Sequence, residues 1–515
     1  YGRNVQLKLQ ESVSVMDFGL LGDGSDEGVK MQAAIDAVNA SGGGTLRFPA
    51  GTYGTGTAQI NWKSNVSAIF DACTIQSSVA VGVAHSVIDT TGASNWHWSG
   101  HVIIQNTNVG ATLKCYGVTG VVSTFCSIES IHFQNLARGL EMDLWEDCTF
   151  RAISGSSIIG QLKSASDLIS SVLIFNGCKR IVVDSVRAVG IAKPAVYFAV
   201  STPALGIDNE DISIGQINST SVLTAENLGI GLGIRSGNNI TVGTVTHRGG
   251  YRAVAIQLES GDTALGFSLS NLTVGEVNAN DVTGNSGSSG VYVNSEDGAN
   301  RISKTTIGSI NVDGASVWGA YFSDCDYLNI GAISAHNINA ATSLEGVKFF
   351  SVKYSTVGNI LVNKARTSGL RMDTCTTLAI DNVIVIDCNE ANSGSDGVRT
   401  DSCVTCSISK VTVETTGAGN AHTRAVEVNS DTTMVLGNVV SIGGNASEVT
   451  FNLTAFTKKT YGGFYDTVAP TAGTWAAGDK VHNSAPAAST ATDMGWVCTA
   501  AGAPGTWKGF GDISA

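Results

Sequence analysis

The chain has little charge, little proline and little histidine. Of its 515 residues, 14% are charged, 6 are proline and 8 are histidine, whereas an average soluble domain has about 25% charged residues. The net charge is −13, so the clustered Lys and Arg side chains that bind nucleic-acid phosphates are not expected. No apolar run approaches the roughly 18 residues of a membrane span. The sequence therefore predicts neither a nucleic-acid partner nor a membrane span.

The cysteines follow no metal-binding pattern. There are 11, an odd number, and only Cys403 and Cys406 form a CxxC motif. A structural zinc site needs a second such motif, and no two histidines have the spacing of a helical metal site. We therefore expect no metal and no cofactor, and we expect reduced cysteines buried in the core. Reduced cysteines suit assembly in a reducing cytoplasm.

Glycine is abundant, with 61 residues, and it occurs in a repeating pattern. Between residues 212 and 437 the phrase hydrophobic–x–hydrophobic–Gly–x–hydrophobic recurs every 23–33 residues, within the range of solenoid repeats. Its central positions are Gly215, Gly243, Gly275, Gly308, Gly331, Gly358, Asp381, Ser409 and Gly437.

A second phrase, Gly–hydrophobic–x–hydrophobic–x, begins 12 residues before six of these positions. It begins at Gly231, Gly319, Gly346, Gly369, Gly397 and, with alanine in place of glycine, Ala425. Strands with period-2 alternation need partners on both sides, and stacked repeats supply them. We therefore predict an all-β protein whose coils stack as a parallel β-helix, with each phrase lying over the next.

The two ends of the chain depart from the repeat. Residues 27–40 have an apolar face with helical spacing, formed by Met31, Ala34, Ile35 and Val38, which predicts a capping helix. Residues 461–515 contain three tryptophans and three prolines and indicate a small β-module. We predict a neck and cap over 1–60, a parallel β-helix with a substrate groove over 61–455, and a C-terminal module over 456–515.

The N-terminal unit carries a recognisable set of phrases. These are Val13-Ser14-Val15-Met16-Asp17-Phe18-Gly19, Gly22-Asp23-Gly24, Ala33-Ala34-Ile35-Asp36-Ala37 and Gly43-Gly44-Thr45-Leu46-Arg47-Phe48-Pro49-Ala50-Gly51-Thr52-Tyr53. Together they resemble the opening signature of the pectate-lyase-like right-handed β-helix superfamily, which phage tailspikes and capsule depolymerases carry. The stretch from Gly495 to Lys508 resembles an ending common in phage tail fibres and tailspikes.

The resemblance implies a right-handed helix, a homotrimer and an endo-acting glycosidase or lyase on a virion tail, made in the host cytoplasm. The implied partners are a bacterial capsular or lipopolysaccharide O-antigen polysaccharide and the phage baseplate or tail. Because the chain starts at Tyr1 rather than Met, we expect the virion-attachment segment to be missing from its N-terminus. The resemblance specifies neither the sugar nor the catalytic residues, since depolymerases place these differently on a shared scaffold.

The first candidate site lies where two adjacent coils carry longer loops, because extra loops on one side of a solenoid can wall a groove. Glu259 and Glu296, followed by Asp297, occupy equivalent corners there, and Asp262 is close in sequence. Crowded carboxyl groups acquire different pKa values, as an acid–base pair requires. Nearby candidates for substrate binding are Arg235, Tyr292, Tyr321 and Trp318. The alternative is that these acids are ordinary solvated turn residues.

The second candidate site lies on the outward face of later coils. Arg371 and Arg399 are expected to share one column, with Lys348 before them and Glu427 after them, and Asp373 and Asp401 would share the next. Two stacked carboxyl groups flanked by guanidinium groups could act as catalytic acids. The alternative is a structural ion-pair lattice in which arginine neutralises the like charges.

A third candidate is the acidic run around Trp145. Glu141, Asp143, Glu146 and Asp147 lie within seven residues and could grip a sugar together with the tryptophan. They could equally form a turn or a contact between subunits.

The favoured function is endo-hydrolysis of a surface polysaccharide by paired carboxyl groups. One alternative is a lyase that removes the proton beside a uronic acid carboxylate, using Arg, Lys, Tyr or His. Another is a receptor-binding fibre without catalysis. The first would be distinguished by an unsaturated, ultraviolet-absorbing product, and the second by binding without shortening of the polymer.

Overall fold

A computed structural model describes most of the chain. The described residues are 12–80, 82–108, 114–158, 170–199, 207–221, 229–259, 268–283, 287–296, 300–338, 344–389, 396–416, 422–430, 433–442, 449–452, 464–466, 468–471, 475, 477–483, 492–502 and 504–513. The chain divides into two compact units, Tyr1–Gly275 and Glu276–Ala515.

The first unit begins with short elements around one α-helix. Strand Ser12–Ser14, the 3-10 helix Val15–Phe18 and strand Asp23–Asp26 precede the α-helix Gly28–Ala40, and strands Gly44–Phe48 and Thr52–Gly56 follow it. All four residues of the predicted apolar face of the helix are buried, which confirms that prediction. Among the described residues no helix is long and apolar enough to cross a membrane.

Each later coil of the first unit contributes one long and one short strand. The long strands form one parallel sheet, the long-strand sheet: Val66–Ser77, Ser94–Asn106, Thr124–Gln134, Glu146–Ser156, Lys179–Ile191, Glu210–Ser221, Gly237–Arg248 and Leu269–Val282. The short strands form a second, the short-strand sheet: Ile60–Asn61, His85–Asp89, Cys115–Val121, Arg138–Asp143, Leu173–Asn176, Val196–Ala199, Ile230–Ile234 and Arg252–Leu258. Burial alternates along the long strands, because every second side chain points into the core.

The second unit repeats the same construction. Its long strands are Ile302–Ala315, Cys325–Asp326 with Asn329–Ile338, Lys353–Ala365, Thr376–Ile386, Cys406–Glu414 and Met434–Ile442. Its short strands are Ser289–Ser295, Trp318–Ser323, Val347–Phe350, Leu370–Asp373, Val398–Asp401, Val426–Asn429 and Val449–Asn452. The predicted parallel β-helix is therefore confirmed in both units.

The predicted register of the glycine phrases is also confirmed. Pairing of Ile330 with Val357 and of Val357 with Ile380 places Gly331, Gly358 and Asp381 one above the next. A Cβ atom built on Gly358 would lie 2.2 Å from the carbonyl oxygen of Gly331. Glycine recurs here because a Cβ atom would crowd the carbonyl oxygen of the preceding coil, although Asp381 and Ser409 show that the column also accommodates a side chain.

One corner of thirteen coils holds a residue that is described in the left-handed conformation. In the first unit this corner column is Asn65, Asn95, Phe125, Asp147, Arg180, Asp211, Asn239 and Asn271, with φ between 51° and 62°. In the second unit it is Lys304, Tyr327, Tyr354, Thr377 and Thr405, with φ between 52° and 57°. Asn and Asp, which fill six of the first eight positions, tolerate this conformation best after glycine.

All eleven cysteines are free and buried, as predicted for reduced core residues. Cys375 and Cys403 lie side by side on neighbouring coils, next to the pairing of Thr376 with Val404. Burial raises the pKa of the Cys73 and Cys178 thiols to about 12. These thiols therefore stay protonated and act as small apolar side chains.

The C-terminal module is a separate four-stranded sheet. Its strands are Phe464–Asp466, Lys480–Asn483, Thr492–Ala500 and Thr506–Ile513, of which the last three pair antiparallel. The rings of Trp475 and Trp507 pack edge to face with centroids 4.7 Å apart, and Val481 and Cys498 complete their small core. The predicted β-module at this end is thus present.

Candidate functional site

The short-strand sheet of the second unit carries three columns of functional side chains. The columns are counted from the leading residue of each coil, which is Gly290, Gly319, Gly346, Gly369, Gly397 or Ala425. The first column precedes the leading residue: Ser289, Trp318, Glu345, Ser368, Asp396 and Arg424. The second column lies two residues after it: Tyr292, Tyr321, Lys348, Arg371, Arg399 and Glu427. The third lies four residues after it: Asn294, Ser323, Phe350, Asp373, Asp401 and Asn429.

This register brings together several of the predicted residues. Arg371 pairs with Arg399, and Asp373 pairs with Asp401. Lys348 precedes the arginines and Glu427 follows them in the same column. The predicted columns of the second candidate site are therefore confirmed.

Three aromatic rings cluster at the N-terminal coils of this face. The rings of Tyr292 and Tyr321 stack with centroids 5.1 Å apart and an interplanar angle of 19°. Trp318 packs on Tyr321 at 4.7 Å, and it begins the strand rather than lying in the preceding turn. All three are half-buried, and burial raises the pKa of Tyr321. The structure thus joins three side chains that the sequence analysis selected for substrate binding.

Glu345 connects the aromatic cluster to the cations. Its Oε2 accepts a hydrogen bond from Trp318 Nε1 at 3.1 Å, and its Oε1 accepts one from Arg371 Nη1 at 3.1 Å. The side chain is only 5% exposed, so these two charged and polar donors offset its loss of solvation. The sequence analysis missed Glu345, because it lies outside the alternating part of the coil.

Asp373 is held by two cations. Arg371 Nε donates to its carboxylate at 2.9 Å, and Lys348 Nζ lies 3.4 Å from Oδ2. Asp401, on the next coil, accepts a hydrogen bond from its neighbour Ser402. The two stacked carboxyl groups therefore have different surroundings, one ion-paired and buried, the other half-exposed beside a hydroxyl group.

A second buried acid pair lies at the C-terminal coils of the face. Arg424 Nε donates to Asp396 at 2.8 Å, and Arg424 Nη1 lies 2.6 Å from Glu427. Burial and the hydrogen bond with Glu427 raise the pKa of Asp396 to about 7, against the opposing effect of Arg424. Asp396 therefore keeps its proton up to neutral pH, and Glu427 carries the charge.

This pair predicts a pH-dependent stability. An aspartate ionises near pH 4 in an unfolded chain, so the stability from protonated Asp396 is full below that pH and is lost as the pH rises towards 7. Asparagine cannot ionise, so the stability of Asp396→Asn should fall less between pH 4 and pH 8 than that of the native protein. We expect a difference of about 1–2 kcal/mol, because the lowered pKa of Glu427 offsets part of the contribution of Asp396. Thermal unfolding from pH 4 to pH 8 measures the effect. The exposed Asp313→Asn is the control, and equal slopes for Asp396→Asn and the native protein would contradict the assignment.

The first candidate site is divided between the two units. In the first unit, Arg235 Nη2 donates to Glu259 Oε2 at 2.6 Å, so the two residues named there do meet. In the second unit, Glu296 is exposed after strand Ser289–Ser295. Asp262 and Asp297 lie outside the described residues. The proposed pairing of Glu259 with Glu296 stays a prediction.

The third candidate is wrong in its central residue. Trp145 is fully buried, and its Nε1 donates to the carbonyl oxygen of Gly120 at 2.8 Å, so it cannot stack on a sugar. Three of its four acidic neighbours are ion-paired within the first unit, Glu141 with Arg138 and both Glu146 and Asp147 with Arg180. The fourth, Asp143, accepts a hydrogen bond from Asn176. This run is a structural element of the coils.

The first unit also has a groove on its long-strand sheet, with a volume of about 620 Å³. It is lined by Thr45, Ser67, Ala68, Ile69, His97, Trp98, Ser99, Ser127, Ile128, Glu129, Thr149 and Arg151. The carboxyl group of Glu129 in this lining accepts a hydrogen bond from the Gly100 amide at 2.8 Å and lies 3.7 Å from Arg151 Nη1. Among the described residues, no group of three or more His, Cys, Asp or Glu side chains could hold a metal ion.

Comparison with known proteins gives one short sequence match. No model of a known protein family matches the chain. A 41-residue segment, 8% of the chain, is 61% identical to mannuronan C5-epimerases of Azotobacter vinelandii. It covers 3% of the epimerase AlgE1 and 7% of AlgE4, so the chain spans only a small part of these relatives.

Comparison with solved structures concerns the whole chain. The tailspike protein of Escherichia coli bacteriophage HK620, solved with a pentasaccharide, is similar with a TM-score of 0.55 at 15% identity, covering 96% of this chain and 90% of the tailspike. The exopolygalacturonase of Thermotoga maritima has a TM-score of 0.42 at 13% identity, covering 79% and 92%. The tailspike likeness establishes a shared fold, the right-handed β-helix, as the resemblance of the N-terminal phrases implied.

Proposed function

We propose that this chain is a homotrimeric phage tailspike, attached to the virion tail, that binds a bacterial capsular or O-antigen polysaccharide and cleaves it internally. We place its site on the outer face of the short-strand sheet in the second unit. The observation that carries the proposal is the aromatic cluster of Trp318 and Tyr321, which Glu345 links directly to Arg371. Sugar-stacking groups and acid–base groups thereby share one surface.

The aromatic cluster would bind the polymer. Pyranose rings have apolar C–H faces that pack on aromatic side chains, while the edges of the rings offer hydroxyl groups for hydrogen bonds. Tyr292 and Tyr321 stack on each other in the second column, and Trp318 packs against both. Lys348 and Arg371, which continue the column, supply donors for sugar oxygens or acidic substituents.

Asp373 and Asp401 would cleave the glycosidic bond. Adjacent strands are about 4.8 Å apart, which is close to the 5–5.5 Å between the carboxyl groups of retaining glycosidases. Lys348 and Arg371 hold the carboxylate of Asp373 in place, so Asp373 would serve as the nucleophile or base, and the more accessible Asp401 would be the acid that protonates the leaving oxygen. Glu345 in turn anchors Arg371, so Arg371 and Lys348 together hold Asp373 in place.

Glu259, Glu296 and Asp297 are the second location for the acids. Arg235 would then orient Glu259 through their ion pair, with Asp262 nearby in sequence. Loss of cleavage in Glu259→Gln or Glu296→Gln, with Asp373 and Asp401 intact, would move the catalytic centre to these residues.

A lyase is the alternative that one specific observation favours. Tyr321, Lys348 and Arg371 follow each other on successive coils of one column. A lyase needs a cation to neutralise a uronic acid carboxylate and a tyrosine or lysine to remove the neighbouring proton. This column contains both kinds of side chain, side by side.

One assay distinguishes the readings. The purified chain is incubated with a panel of capsular and O-antigen polysaccharides, and polymer mass, new reducing ends and ultraviolet absorbance are followed. Hydrolysis predicts a falling mass and new reducing ends without absorbance. Absorbance that rises with the number of breaks would indicate the lyase, and binding without any loss of mass would indicate a non-catalytic fibre. The tailspike complex with a pentasaccharide supports including short oligosaccharides in the panel.

A further inference from the structure

Two exposed tyrosines stack on each other at the corner column of the second unit. Tyr327 is 56% exposed and Tyr354 is 53% exposed. Their ring centroids are 5.5 Å apart with an interplanar angle of 23°. Two adjacent rings that are this exposed form a continuous aromatic surface, and such a surface is a candidate contact for a ligand.

Both tyrosines are also strained. Their φ angles are 57° and 52°, in the left-handed region that bulky residues rarely adopt. The same corner position holds Asn or Asp in most coils of the first unit, where the strain is small. The coil imposes the same conformation on Lys304, Thr377 and Thr405 in this column, so the strain is a property of the corner. The two adjacent exposed rings are what distinguish these coils.

Hydrogen bonds of Arg301 hold the corner that carries the tyrosines. Arg301 donates to Asp326 Oδ1 at 2.6 Å and to Asp324 Oδ1 at 3.1 Å, and it also donates to the backbone carbonyl of Ser351 on the following coil. One guanidinium group thus joins three successive coils. The rings therefore sit on a fixed support, and little freedom would be lost when they bind a ligand.

The groups around the rings are polar. Along the corner column, Lys304 precedes the tyrosines and Thr377 follows them. On the following strand, Thr356 Oγ1 donates to Asn329 Oδ1 at 3.1 Å. Two rings among hydroxyl, amide and ammonium groups match the size and chemistry of one or two sugar units. Two rings in polar surroundings do not match a stable protein interface, which needs about 800 Å² on each partner and an apolar centre.

We propose that Tyr327 and Tyr354 form a second, non-catalytic sugar-binding site, which holds pyranose units of the polysaccharide that the outer face cleaves. This inference rests on the proposed function. Tyr327 follows Ser323, a third-column residue, by only four positions on the same coil. A polymer that crosses the third column can therefore continue onto this corner, so the site would tether long chains and contribute nothing to short ones.

The test uses Tyr327→Asn, Tyr354→Asn and the double variant in the full chain. Asparagine is the residue that this corner accepts elsewhere, so the thermal midpoint should stay equal or rise. Affinity for long polysaccharide should fall about tenfold in the double variant, and turnover of a short oligosaccharide should not change. Phe125→Asn is the matched control, because Phe125 is 59% exposed with φ of 55° at the same corner of the first unit.

The outcomes distinguish failure of the second sugar-binding site from failure of the proposed cleavage activity. Unchanged affinity for long polymer in the double variant would overturn the second site, whether or not the chain cleaves. A lower oligomeric mass in the double variant would also overturn it, since the rings would then contact another subunit. If no cleavage is found in any variant but long-chain binding still falls with the tyrosines, the second site stands and the catalytic proposal fails.

Discussion

Asp373→Asn and Asp401→Asn are each expected to lower the rate of polysaccharide cleavage by about 10³-fold, because each removes one member of an acid–base pair. Asparagine keeps the shape of the side chain and an oxygen that can accept from Arg371 or Ser402. Binding should therefore change only a few fold. Cleavage is measured by new reducing ends, and binding by calorimetry with an oligosaccharide.

Two controls make this result interpretable. Asp313→Asn changes an exposed carboxyl group of the second unit, on the long-strand sheet, and should retain full activity. Circular dichroism and thermal unfolding show whether Asp373→Asn still folds, since that residue is buried between two cations. Full cleavage by both Asp373→Asn and Asp401→Asn would reject the assignment and direct attention to Glu259 and Glu296.

Trp318→Ala is expected to weaken polysaccharide binding roughly thirtyfold, equivalent to about 2 kcal/mol, because it removes a large flat contact surface. Trp318→Phe keeps a ring but loses the hydrogen bond to Glu345. If the ring matters for stacking, the phenylalanine variant should recover most of the affinity. If Trp318 acts mainly by positioning Glu345, both variants should cleave slowly and bind nearly normally.

Tyr116→Ala is the matched control for the tryptophan. Tyr116 is a half-buried aromatic residue of the first unit, packed under the guanidinium of Arg138. Its removal should cost some stability of the first unit and leave affinity unchanged. Affinity that falls equally in Tyr116→Ala and Trp318→Ala would contradict a site confined to the second unit.

The fold could be predicted because the glycine phrases recur in the sequence at nearly constant intervals. Where the backbones of successive coils nearly touch, as at Gly331 and Gly358, only a residue without a side chain fits easily, and glycine recurs at a fixed offset. That offset also sets which side chains share a column. Arg371 with Arg399, and Asp373 with Asp401, could therefore be aligned by counting alone.

The buried acids of the site depend on contacts between coils, which residue offsets along the sequence do not give. Glu345 and Asp396 precede the leading glycines, where the alternating pattern has not begun. Their burial depends on partners from other coils, Trp318 and Arg424. The inward position of Trp145 has a different cause: Leu144 before it has φ of 58°, and a left-handed residue breaks the alternation between inside and outside.

The buried thiols have a practical consequence. Cysteines are distributed through both units and the C-terminal sheet, and each is shielded from solvent. A maleimide would therefore label a given thiol only after the surrounding coil has opened. The order in which the eleven positions become labelled during gentle heating would show where unfolding starts and how it spreads, without the introduction of any new residue.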